Sequence, residues 1–153
     1  MSAGSPAPAS RLADVPELNV AFFSFLLNFV WEFFQVPFFR GMAAAPHWEA
    51  AQVCIQATLG DAGISLVAFW AVALTARSRG WALHPTARQF LGFVAVGVVI
   101  TIAFEWLAVE VLDRWSYAES MPTLPLLGTG VLPILQWIVL PPVVVWLVRR
   151  QLT

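Results

Sequence analysis

Four stretches of this chain are apolar for long enough to cross a bilayer, and the polar residues that interrupt them fall on restricted faces. The first runs from Leu18 to Phe39, about 22 residues, close to the ~20 that a helix needs to span the hydrocarbon. It is too long for a secretory leader, whose apolar region is about 7–15 residues, so a retained span is expected. The second is expected over about 54–76, preceded by Trp48, Ala51, Ile55 and Leu59 at helical spacing. The third covers about 90–112 and the fourth about 124–148. Pro141-Pro142 falls inside the fourth, where the missing donors should free the carbonyls of Trp137 and Ile138 and kink the helix. The pattern therefore predicts an all-α polytopic membrane protein, a four-transmembrane-helix bundle. Residues 1–16, rich in Ser, Ala, Pro and Gly without apolar period, read as a disordered cytoplasmic tail ahead of a domain over 17–151.

Orientation comes from arginine. Basic residues near the ends of spans are retained on the cytoplasmic side. With the N-terminus inside, Arg11, Arg77, Arg79, Arg88, Arg149 and Arg150 are cytoplasmic and only Arg40 and Arg114 lie outside. Both termini are then cytoplasmic, in a cell (inner) membrane. Composition agrees, since 59% hydrophobic and 11% charged residues lie far from the soluble pattern and demand lipid as a partner. A net charge of −1 gives no reason to expect nucleic acid. Cys54 is the only cysteine, which excludes an internal disulfide or Cys-x-x-Cys chemistry.

The chemistry, if any, lies where a membrane helix carries costly groups. A carboxylate near the bilayer centre costs at least ~2.5–3.5 kcal/mol on insertion scales. Glu32, Asp61 and Glu105 stand out as candidate catalytic residues. Ser24, Asn28, Glu32 and Gln35 step by four, four and three, which lines them on one helical face turned into a bundle. Glu32 lies roughly 12 Å below the end of its helix at about 1.5 Å per residue. Alternation of the spans puts Asp61, Glu105 and Gln136 in the same half. Asp61 either lies within the membrane or caps a helix that starts after Gly60. Trp31, Trp106, Arg114, Trp115 and Tyr117 join Asn28, Gln35 and Gln136 as candidate substrate-binding residues, although Arg114, Trp115 and Tyr117 also fit an interfacial anchor. Glu110, Asp113 and Glu119 read as solvated. His47 and His84 are expected on opposite sides, so no metal site and no cofactor is expected.

Three carboxyls at similar depth in a low-dielectric bundle cannot all stay ionised, because burial and mutual repulsion both penalise the charged form. A neutral acid beside a carboxylate base, walled by aromatic rings, suits proton-initiated cyclisation, isomerisation or hydration of an apolar small molecule. The run Asn28-Phe29-Val30-Trp31-Glu32 resembles the Asn-x-x-Trp-Glu pattern of the membrane-bound meroterpenoid cyclases, small all-helical proteins that protonate and fold an isoprenoid chain. The resemblance covers five residues and implies Glu32 as the proton donor. Two other classes remain open: a small proton-coupled carrier, which four helices would require to be a homo-oligomer, and a lipid-binding or assembly subunit docking its polar stripe on a partner.

Overall fold

The structure, a computed structural model, describes residues 12–153. Most of the expected N-terminal tail, residues 1–11, lies outside the described residues; from Leu12 the chain is ordered as a short 3-10 turn, Leu12–Asp14, leading into a helix. Four long helices follow: α1 (Pro16–Gln35), α2 (His47–Ala76), α3 (Ala87–Trp106) and α4 (Val131–Leu152). With their helical extensions, each is long and apolar enough to cross a membrane. The chain is a multi-pass membrane protein with an all-α, four-helix bundle fold.

Local chemistry sets the boundaries. Proline at the first position of α1 has no N–H to leave unsatisfied, and Pro37 ends the α-helix by forcing a 3-10 turn over Val36–Phe38. α2 begins at His47, seven residues before the expected position 54, because the polar run His47-Trp48-Glu49 is helix-compatible and Glu49 complements the dipole in the first turn. It ends with Arg77 in the left-handed region (φ 52°) and Ser78 N–H donating to Ala73 O at 3.0 Å. α3 starts three residues earlier than expected, where Thr86 and Gln89 form a reciprocal capping box. Its last turn, Leu107–Val111, is π-helical. α4 starts at Val131 rather than 124: Pro125 and the left-handed Gly128 (φ 65°) fold 124–130 into a turn closed by Leu124 N–H to Thr129 O, and leave Leu126 fully out in the surroundings. It runs unbroken through Pro141-Pro142 to Leu152, with Arg149 and Arg150 complementing its C-terminal dipole.

The helices pack in ring order, and the two halves of the bundle differ. In the half holding the α2–α3 connection, Phe69, Trp81, Phe93 and Trp137 form a chain of ring contacts with centroids 5.5, 5.5 and 6.0 Å apart, packed on Val20, Val144, Val145 and Val148. The Trp81 indole donates to Phe69 O at 3.2 Å, so its one polar atom is satisfied inside this plug. α3 meets α4 at Gly97, where a Cβ would fall 2.0 Å from the Trp137 ring; only glycine lets the indole lie there. An ion pair between Glu17 on α1 and Arg79 in the α2–α3 connection closes this end.

The other half is covered by a clip. The segment after α1 pairs antiparallel with the segment after α3: Phe39 faces Tyr117, Arg40 N–H donates to Ser116 O at 2.9 Å, and Ala118 N–H to Phe38 O at 2.9 Å. Phe39 packs on both Trp115 and Tyr117, at 6.5 and 5.7 Å between centroids.

Candidate active site: a carboxyl-lined cavity

The inner face of α1 carries the polar stripe, and the bundle buries it completely: Ser24, Asn28, Glu32 and Gln35 are 1, 5, 8 and 5% exposed. Buried polar atoms need partners, and the stripe finds them within α1 itself and on the neighbouring helices. Gln136 of α4 donates through Nε2 both to Asn28 Oδ1 and, at 2.8 Å, to Asp61 Oδ2. Asn28 in turn donates to Ser24 O at 2.7 Å, and Gln35 donates to Glu32 Oε1 at 2.7 Å. The carboxyls of Glu32 and Asp61 lie within hydrogen-bonding reach of one another. Two carboxylate anions are acceptors only, so a hydrogen bond between the two groups forms only when they hold a proton between them.

Asp61 therefore is no helix cap. It sits about four turns inside α2, because the helix begins at His47. Its side chain is fixed from α1 and α4 together, which makes Glu32–Asp61–Gln136 the joint between three helices.

Glu32, Asp61 and Glu105 all line one cavity of about 470 Å³. Ligand sites are typically ~300–1,000 Å³, so the space suits a ligand of tens of atoms. Glu105, on the α3 wall, accepts a hydrogen bond from the Tyr117 hydroxyl at 2.5 Å. That phenol lies in the connection beyond α3, and its own ionisation is pushed above the ordinary range, first by burial and then by donation to Glu105. The Trp115 indole N–H is buried and faces the Glu105 carboxyl. Two buried polar atoms on the lining have no partner: Gln35 Oε1 and Thr101 Oγ1. Between them stand apolar walls from Val36, Phe39, Ile64 and Phe104.

Of the other expected residues, Gln35, Arg114, Trp115 and Gln136 also line this cavity. Asn28 lies behind Gln136, on a separate chamber of about 10 Å³ shared with Ser24 and Ser65, the size of about one water. Tyr117 acts through Glu105 and is not on the lining. Two further expected residues lie away from the lining. Trp106 is 55% exposed on the outer face of α3, one position off the Thr101–Glu105 face. Trp31 is adjacent to Glu32 in sequence but about 100° away around the helix, so it does not line the cavity.

Sequence reasoning missed Arg40, Gln56, Gly60 and Thr101 as lining residues. Gln56 and Gly60 share a face with Val53 and Ile64 by steps of three and four, a spacing present within the expected span but not followed there. Thr101 lies four residues before Glu105 and is reached by the same rule. Among the described residues no group of three or more His, Cys, Asp or Glu is arranged to hold a metal ion. His47 opens α2 at the cavity end, and His84 follows the 3-10 turn at the other end.

Comparison with family models, with curated proteins and with solved structures finds no match for this chain. The chemistry of the site rests on its geometry.

Proposed function

We propose that the protein is a membrane-embedded acid–base enzyme acting on an isoprenoid or similar lipid-like substrate, with Glu32 as the acid, Asp61 as its proton-sharing partner and Glu105 as the base across the cavity. The observation that carries this reading is the Glu32–Asp61 carboxyl contact on the wall of a cavity large enough for a substrate. Glu32 delivers a proton to an alkene carbon or epoxide oxygen, a carbocation develops, and Glu105 takes up the proton lost on the far side. Substrate and product of such an isomerisation or cyclisation have the same atoms, so no further reactant is required. The motif shared with the meroterpenoid cyclases supports Glu32 in this role through Asn28 and Glu32, the two motif positions on the inner face. By the arginine distribution, the cavity lies in the outer half of the membrane and both termini are cytoplasmic.

The geometry favours this over the two alternatives. A partner-docking stripe has to be accessible, whereas the stripe of α1 is spent on contacts within this chain. A carrier needs access from both sides, and the aromatic plug of Phe69, Trp81, Phe93 and Trp137 fills the half opposite the cavity.

The test is lipid extraction and mass spectrometry of cells with and without the gene. The proposal expects an isoprenoid or lipid species to be converted to a product of related mass only when the protein is present. An unchanged lipid profile with altered solute uptake would favour transport instead.

A further inference from the structure

The acids are covered by the proposal above; the arginines at the cavity mouth are not. Arg77, Arg79, Arg88, Arg149 and Arg150 all lie at the plugged end, as helix ends and connections place them. Among the described residues the cavity end has two arginines, Arg40 and Arg114, and both line the cavity. Each follows directly on a membrane span, after Phe38 and shortly after Val111, at the depth where lipid headgroups lie.

Their pairing is built by the clip. Arg40 stands opposite Ser116, and Arg114 lies two positions before Ser116, so the clip brings both chain segments to the same end of the cavity. Neither guanidinium takes part in an ion pair; among the described residues the one ion pair is Glu17–Arg79. The exposed acids of this end, Glu49, Glu110, Asp113 and Glu119, are not on the cavity lining, and the buried acids are engaged with Gln35, Gln136 and Tyr117. Arg114 is held over the Trp115 ring at 5.9 Å, which fixes its stem at the mouth. Two guanidinium groups without an acidic partner on the lining of one cavity suit an oxyanion, which each can bind through two N–H groups. Below them the walls are apolar.

We propose that the ligand of this cavity is an anionic amphiphile, its phosphate or carboxylate head held between Arg40 and Arg114 and its apolar tail lying inward across the three acids. This rests on the cavity being the substrate site. It sets the polarity of the bound chain: the reacting double bond or epoxide is in the tail, several carbons from the head, where Glu32 and Glu105 reach it. Gly60 on the α2 wall has nothing within 4 Å of where a Cβ would be, which leaves room for the tail beside Asp61.

The test uses the full chain in an uncharged detergent, with decyl phosphate as probe, decanol as the uncharged tail and inorganic phosphate as the free head. Binding is read as the rise in unfolding temperature with probe concentration. Wild type is expected to bind decyl phosphate about tenfold or more tightly than decanol, and inorganic phosphate more weakly than decyl phosphate, because head and tail act together. Arg40→Gln/Arg114→Gln should lose that preference while binding decanol as before; the single variants should each lose part of it and serve if the double variant unfolds. Equal binding of decyl phosphate and decanol by wild type, or an unchanged preference in the arginine variants, overturns the inference. Glu32→Gln should keep the preference. Loss of conversion in Glu32→Gln without any headgroup preference in wild type would remove this inference and leave the acid–base reading standing.

Discussion

Single residues in this protein are explained by what is left when a polar atom enters lipid. Each of Asn28, Glu32, Gln35 and Asp61 is costly alone and acceptable in company, since a satisfied hydrogen bond removes most of the burial penalty. The stripe could be read from spacing alone, because side chains three and four apart share a helical face. Its partners could not, because Gln136 reaches Asn28 across 108 residues of chain. Tyr117 is the clearest case. It reads as an interfacial anchor in the sequence, yet it donates to Glu105 from a loop whose fold depends on the clip. Its raised ionisation gives a clean readout, as it is the sole tyrosine. In a spectrophotometric pH titration the phenol should stay neutral through the region near ~10 where free tyrosine ionises. The sign follows from the folded state holding the proton more tightly: the stability this contributes is present below the ordinary tyrosine range and is lost as pH rises beyond it. Glu105→Gln should move the transition back toward the ordinary range. A Tyr117 that titrates normally in the folded wild type would contradict the contact.

At the scale of elements, the existence of the four helices was legible and their ends were less so. Apolar run length marks a span, but α2 extends well beyond its apolar core because nothing in His47-Trp48-Glu49 stops a helix. At the start of α4 the reverse holds: Leu124, Leu126 and Leu127 look like helix, and Pro125 with Gly128 makes them a turn. Helix contacts were the least legible feature, for no periodicity says that Gly97 meets Trp137. That contact gives a stability prediction. Gly97→Ala improves helix propensity by up to ~1 kcal/mol, yet its new Cβ would fall 2.0 Å from a buried ring held by Phe93. Overpacking of this kind costs about 1–3 kcal/mol, so the variant should be less stable in detergent denaturation. Adding Trp137→Leu should recover part of the loss, since the clash is then gone; additive destabilisation would show that the two residues do not oppose each other.

For the whole molecule, the division into a plugged half and an open half is what turns four apolar helices into a site. Glu32, Asp61, Glu105 and Gln136 gather in the open half, as the alternation of the helices leads one to expect. Orientation in the membrane is independently measurable. Cysteine placed at Ser116 in the clip should be labelled by an impermeant reagent from outside, and cysteine at Ser78 only from inside; Ser78 labelling from outside would reverse the leaflet assigned to the cavity. The central claim is that the cavity acts chemically, and replacement of Glu32 tests it most directly. Glu32→Gln preserves size and hydrogen bonding toward Gln35 and removes the acidic proton. With lipid conversion and detergent stability measured on the same preparations, Glu32→Gln should lose about 10²–10⁴ in rate while remaining folded, whereas exposed Glu119→Gln should be silent. Full conversion by a well-folded Glu32→Gln variant would contradict the account.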